Sequence, residues 1–298
     1  MRQRWMLVFL LALSTSVQAQ WLNFPTPGTP RTRDGKPNLT APTPRTADRK
    51  PDLSGVWMHA PTPVEEMKRL FGPIVDQEIA VEVPGMEIST VHKYGVSILA
   101  DFAPGTEPLG PQGAEAWRKR QAAANPANVC AAIPGWPFAG LLSEPIKIVQ
   151  AARLTLVLYE VGSLHRQVYT DGRVLPAETN FPAFLGYSVG RWDGDVFVVD
   201  SGGFNDKTAF DVLGHPHSDK LHITERFRRV DFGHLDVEMT IDDPEMYTKP
   251  FTIKIPHTLM ADADIFESFC ENERDRVHLE NAPRQAAPPG AAPAPAPR

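Results

Sequence analysis

The densest run of groups able to move a proton or hold a metal is Gly214-His215-Pro216-His217-Ser218-Asp219, with His222 shortly after it. It falls on a loop entering a strand, where functional residues tend to gather. Three readings of this run stay open. His215, His217 and His222 can supply three metal ligands with one open position, but their spacing matches no zinc signature such as His-Glu-x-x-His, and no metal is favoured. Acid–base work needs an imidazole oriented by a carboxylate, and here His215 or His217 would be served by Asp219 or Asp206. The third reading is a polar turn whose side chains cap backbone groups.

Two further sets of residues carry chemistry. His165, Gln167 and Tyr169 alternate along a strand and share one face. If that face is interior they form a hydrogen-bonding wall for a ligand, and if exterior they are ordinary strand surface. Glu225 shares a face with Leu221, Ile223 and Phe227, and His257 continues the apolar face of Phe251, Ile253 and Ile255. A carboxylate on an apolar face is informative because burying an unpaired charge is expensive. If those faces line a barrel, Glu225 and His257 point into it.

The elements that must position these groups are mostly strands. From Pro145 onward the apolar period is two. Short β-branched and aromatic runs cover 146–150, 153–160, 164–170, 187–192, 196–200, 221–230, 235–242 and 251–257. Asp193-Gly194 is a strong hairpin signal, and Asp171-Gly172 reads as a turn. Eight strands joined by short links without crossover helices must be mainly antiparallel, and 54–59 adds a candidate ninth. Such a meander closes into a barrel or folds as two sheets, and closure removes exposed edges. Two helices flank it. Thr62-Pro63-Val64-Glu65 reads as a capping box with proline at the first helical position, and Gly72-Pro73 ends that helix. The second runs from about Gly113 to Ala124.

The ends differ from this core. Residues 1–19 read as a signal peptide: Arg2 and Arg4, an apolar run from Met6 to Leu13, and a small-x-small site ending at Ala19. That apolar run is too short to span a bilayer, so export to the periplasm or beyond is expected, with no membrane span. Residues 20–51 are Pro-rich and read as an extended linker, with a short echo between Asp34–Thr40 and Asp48–Ser54 that suggests two similar turns. A single β-rich domain over 52–280 and a disordered Pro/Ala tail over 281–298 complete the plan. In an exported chain an even cysteine count favours a bridge, here Cys130 to Cys270.

A net charge of −6 without a basic stripe argues against nucleic acid. There is no Gly-x-Ser-x-Gly elbow, Walker loop or dinucleotide fingerprint, and no motif names a cofactor. Together, Pro51–Trp57, Tyr187–Asp195, Gly214–Asp219, Thr224–Arg229 and Asp231–His234 resemble a family of exported proteins from soil and environmental bacteria, over about 21–275. The opening Asp52-Leu53-Ser54-Gly55-Val56-Trp57 and the meander are also similar to lipocalin-like (calycin) barrels. These resemblances imply an exported all-β barrel and carry no catalytic residues over. The expected function is binding of a small, partly apolar organic molecule. The alternative is an isomerase, lyase or hydrolase in the same cavity, with Glu225 or Asp219 as general base and His215, His217 or His165 as acid or electrostatic partner.

Overall fold

The computed structural model describes residues 26–72, 92–123, 138–141 and 144–266. Nine strands close into one barrel in sequence order. They are β1 (Gly55–His59), β2 (Ile146–Ala151), β3 (Leu154–Tyr159), β4 (His165–Tyr169), β5 (Tyr187–Asp193), β6 (Val196–Gly202), β7 (His222–Arg229), β8 (His234–Asp242) and β9 (Phe251–Leu259). The eight strands legible from period two are all present, and β1 is the piece that closes them, pairing with β2 on one side and β9 on the other. Direction reverses at every antiparallel step, so a ring of nine cannot alternate all the way round. The odd step is β4–β5, a parallel pair with only Val168↔Ser188 and Tyr169↔Val189 in register. Residues 170–186 carry the chain back so that β5 can run alongside β4. The other joints are antiparallel, and β5 turns into β6 through Gly194-Asp195, with Gly194 at φ +59 as a hairpin loop requires. An eight-stranded up-and-down barrel needs no such seam.

Alternation sorts the side chains as the apolar period demands. Leu235, Val237, Met239 and Ile241 of β8 point inward, as do Phe251, Ile253, Ile255, His257 and Leu259 of β9. The interior is filled. A lumen wide enough for water would leave accessible area on its walls, and Ile223, Leu235 and Ile241 have none. Gly190 on β5 shows how tight the packing is: a Cβ there would lie 2.5 Å from the Phe197 ring. One end of the barrel is shut by Arg229, whose guanidinium sits 4.8 Å from the Trp57 ring and donates to the carbonyls of Asp52, Asp231 and Phe232. The other end is covered by Phe204, Phe210 and Tyr247 over Phe251.

The polar centre of this interior is an ion pair. Arg166 of β4 donates to Glu225 of β7 at 2.5 Å, to Ser201 of β6 at 2.7 Å and to Ser188 of β5 at 2.9 Å. Desolvation raises the Glu225 carboxyl above its ordinary pKa, against the pull of Arg166. Glu225 therefore points inward as its alternation implied, but its partner comes from the strand face opposite to His165 and Gln167.

The Pro-rich stretch is the main departure from expectation. Residues 20–51 read as an extended linker, and instead the described part, 26–51, forms a strap folded onto the barrel. The echo is two copies of one hairpin turn, fourteen residues apart. The Thr32 and Thr46 hydroxyls donate to Asp34 and Asp48, while their N–H groups reach the Lys36 and Lys50 carbonyls. Arg31 then clasps Asp262, and Arg45 clasps Asp195, each through two nitrogens. Between the turns, the carbonyls of Leu39 and Ala41 accept from Gly233 and Phe232 at the tip of the β7–β8 hairpin. Local polar bonds and two anchors hold a segment too poor in apolar residues to be recognised as packed.

Among the described residues three α-helices lie outside the barrel: α1 (Val64–Phe71), α2 (Lys93–Val96) and α3 (Pro111–Ala123). The capping box is not formed. Pro63 occupies the cap position without a side-chain bond, and Thr62 Oγ1 instead accepts from the Lys93 N–H at 2.8 Å. Gly72 does end α1, its N–H bonding the Lys68 carbonyl. The expected signal peptide, C-terminal tail and Cys130–Cys270 bridge fall outside the described residues. Among the described residues no helix is long and apolar enough to cross a membrane.

The ion pair yields a prediction. Arg166→Met alone leaves a buried carboxylate without its partner and should cost about 3–5 kcal/mol in urea denaturation. Adding Glu225→Leu should recover most of that loss, because the double variant buries no charge. If the double variant is no more stable than the single one, the pair is not an isolated electrostatic unit.

Candidate functional site

The histidine loop separates into residues with different tasks. His217 is buried, with Thr208 Oγ1 at 2.7 Å from Nε2 and the Ser218 carbonyl 3.3 Å from Nδ1. Both ring nitrogens are thus used by the protein, and desolvation lowers its pKa to about 4. Asp219 is exposed beside Lys220, and His222 stands 3.9 Å from Asp200 at the start of β7. The three histidines do not converge, and no group of three or more potential ligands able to hold a metal occurs among the described residues. The metal reading of His215, His217 and His222 is therefore set aside.

His215 is arranged differently. Its Nδ1 donates to Asp211 Oδ2 at 2.6 Å, and its backbone N–H donates to Asp211 Oδ1 at 3.1 Å. The same Oδ2 accepts the Ile98 N–H at 2.6 Å, so one carboxylate joins the loop to the segment after α2. Gly214, at φ +76, makes the tight turn that lets residues 211 and 215 meet. Trp117 of α3 stacks on the His215 ring, with centroids 4.7 Å apart and planes at 19°. Trp117 Nε1 donates to the Leu213 carbonyl at 2.7 Å, and Arg120 donates to the carbonyls of Asp206 and Thr208. The imidazole is thereby fixed in tautomer and orientation, with Nε2 left as an acceptor that makes no hydrogen bond within the described residues.

His215 lines a cleft of about 820 Å³ between the barrel end and the helices. Leu70 and Phe71 of α1, Leu99, Phe102, Trp117 and Leu213 form apolar wall, while Ser97, Asp101, Arg69 and Glu107 add polar groups. Phe102 ties this wall to the barrel by an edge-on contact with Phe251, centroids 5.9 Å apart. Burial works against ionisation of Asp101, but bonds from Lys93 and Tyr94 outweigh it and hold its carboxyl below the ordinary value. Asp101 is an anion on the cleft wall and unsuited to donating a proton at neutral pH.

Other expected residues sit elsewhere. Glu225 is walled inside the barrel by Arg166 and cannot share a cavity with His215. His165 and Gln167 are exposed, with Tyr169 half-buried over Arg173, so the ligand-wall reading of that face gives way to the exterior one. The register explains the difference, since Val157↔Arg166 and Thr155↔Val168 turn the alternate residues inward. Asp206 is exposed, and its backbone, rather than its carboxylate, meets the loop's surroundings. His257 is buried opposite His59 across β1 and β9, and His92 at the start of α2 completes a histidine cluster, with centroids 6.5 and 5.7 Å from His59. Sequence reading paired His215 with Asp219 or Asp206 and missed Asp211, Ser97 and Trp117. The i, i+4 spacing of Asp211 and His215 around Gly214 was the available signal.

The fold and site thus define a closed, filled β-barrel with a histidine–aspartate dyad in an external cleft. Comparison with known protein families, curated proteins and solved structures finds no match for the chain.

The buried histidines set a pH response. Desolvation, reinforced by the neighbouring His59, holds His92 and His257 at about 3, and desolvation holds His217 at about 4, against 6.5 for an exposed ring. All three are neutral when folded, so below pH 6.5 the unfolded chain binds more protons. Stability should be complete above that pH and fall as pH drops through 6.5 toward 3. The expected slope is about 1.4 kcal/mol per pH unit for each histidine. Urea denaturation between pH 7.5 and 5 samples this effect above the ordinary carboxylate range, and a flat profile there would contradict it.

Proposed function

We propose that the protein is an exported enzyme that binds a small, partly apolar organic molecule in the external cleft and moves a proton on it through His215 Nε2. One observation carries the reading: an imidazole held by Asp211 at Nδ1 and by Trp117 on its face, lining a cleft with apolar walls. Orientation by a carboxylate at Nδ1 fixes the tautomer that leaves Nε2 as the acceptor, which is what a general base needs. A cleft of this volume lies within the range that encloses a small molecule, and a few polar groups on apolar walls give it orientation. The filled barrel serves as the rigid platform. Export rests on the signal-like residues 1–19, and the family resemblance agrees with it.

The test is a panel of small apolar esters, lactones, ketones and β-hydroxy acids offered to the protein and to His215→Gln and Asp211→Asn. Turnover of at least one class should fall about 10²-fold or more in His215→Gln, the usual worth of a general base. Wild-type protein inert toward the whole panel, or turnover indifferent to His215, would count against the reading. Native mass spectrometry should also show any small organic molecule carried through purification, released by Leu99→Arg.

A further inference from the structure

We infer that Ser97 is a nucleophile served by His215, so that the cleft performs acyl transfer on small apolar esters; this rests on the reading above and narrows its chemistry. Ser97 closes α2 and lines the same cleft as His215. Its placement is not incidental to the dyad. The Ile98 N–H, on the next residue, is bonded at 2.6 Å to the carboxylate oxygen that also receives His215 Nδ1–H. Two more bonds lock the segments together, Val212 N–H to the Gly95 carbonyl and Leu213 N–H to the Val96 carbonyl. Asp211, His215 and Ser97 are therefore held by one backbone network.

The hydrogen-bonding needs of the two groups are complementary. Ser97 Oγ is buried and accepts the Leu99 N–H at 3.3 Å, yet its O–H donates to nothing among the described residues. His215 Nε2 is an acceptor without a donor among them. An unused donor and an unused acceptor on one cleft are what a resting serine–histidine pair leaves before substrate draws it together, since such bonds are often long without ligand. The sequence lacks the Gly-x-Ser-x-Gly elbow, but the serine–histidine–acid arrangement recurs on unrelated folds and is recognised by geometry.

The chemistry balances with water as the sole co-reactant. Ser97 Oγ bonds the ester carbonyl carbon while its proton passes to His215 Nε2. The bond to the alcohol oxygen breaks, and His215 returns the proton to the departing alcohol. Water then adds to the acyl carbon, giving a proton to Nε2; the acyl–Oγ bond breaks, the acid leaves and Ser97 regains its proton. Asp211 keeps its bond to Nδ1 throughout and holds the ring.

The experiment uses the whole mature chain with an alkyl fluorophosphonate and with p-nitrophenyl butyrate. Ser97 Oγ should displace fluoride from phosphorus, and peptide mass mapping should place a single adduct on Ser97. His215→Gln should slow both labelling and ester hydrolysis about 10²-fold or more, and Ser97→Ala should abolish both. An adduct elsewhere, or none, overturns the inference from wild-type protein alone, whatever the variants' stability. Hydrolysis that depends on His215 but survives Ser97→Ala overturns it while leaving the general-base reading intact. No labelling and no turnover of any panel compound removes both.

Discussion

The Arg166–Glu225 pair decides what kind of barrel this is. Nine strands oblige one parallel joint, and that joint is held by two residue pairs only. Arg166 reaches from β4 past Ser188 on β5 and Ser201 on β6 to Glu225 on β7, so one guanidinium crosses the weak seam and the two strands beyond it. A buried arginine needs its donors answered, and the three strands beyond β4 answer them together. The cost is a lumen occupied by its own side chains. Whatever this protein binds must therefore be met outside the barrel, and the barrel becomes the support rather than the vessel.

Much of that support was legible in the residues. Leu235, Val237, Met239 and Ile241 state their strand and its inward face directly, and Asp193-Gly194 states its hairpin. Glu225 on an apolar face announced a buried charge. What period two does not carry is register between strands distant in sequence. His165–Tyr169 offers two polar faces, and only the β3 pairing and the presence of Glu225 across the lumen decide that Arg166 goes in and His165 stays out. The Pro-rich strap was illegible for a different reason. Its order comes from Arg31 and Arg45 reaching Asp262 and Asp195, contacts spanning 231 and 150 positions, and no local pattern encodes those.

The candidate site shows the same division. The histidine loop stood out by composition, yet composition could not rank His215 over His217. The ranking follows from what each ring touches. His217 is consumed by Thr208 and Ser218 and packs against Phe210, whereas His215 keeps one nitrogen uncommitted. Asp211 makes that difference, because a single carboxylate gathers three donors and fixes the imidazole against Trp117. Helix α3, unremarkable as a sequence, matters here through Trp117, Arg120 and Gln121, which bind the loop's carbonyls and so hold the floor of the cleft.

The strap has a mechanical consequence. Thr26 and Arg31 meet Asp262, and β1 and β9 are antiparallel neighbours, so both ends of the described chain leave the barrel from one place. A force drawn through those ends would open β1 from β9 one hydrogen bond at a time, a zipper geometry that yields at low load. The Arg31–Asp262 clasp stands ahead of the first of those bonds and would part before any strand moved. The cleft abuts Phe251, at the far end of β9, about 27 Å along a nine-residue strand. A force on those ends would therefore be relieved at one pole of the barrel while the candidate site at the other kept its shape.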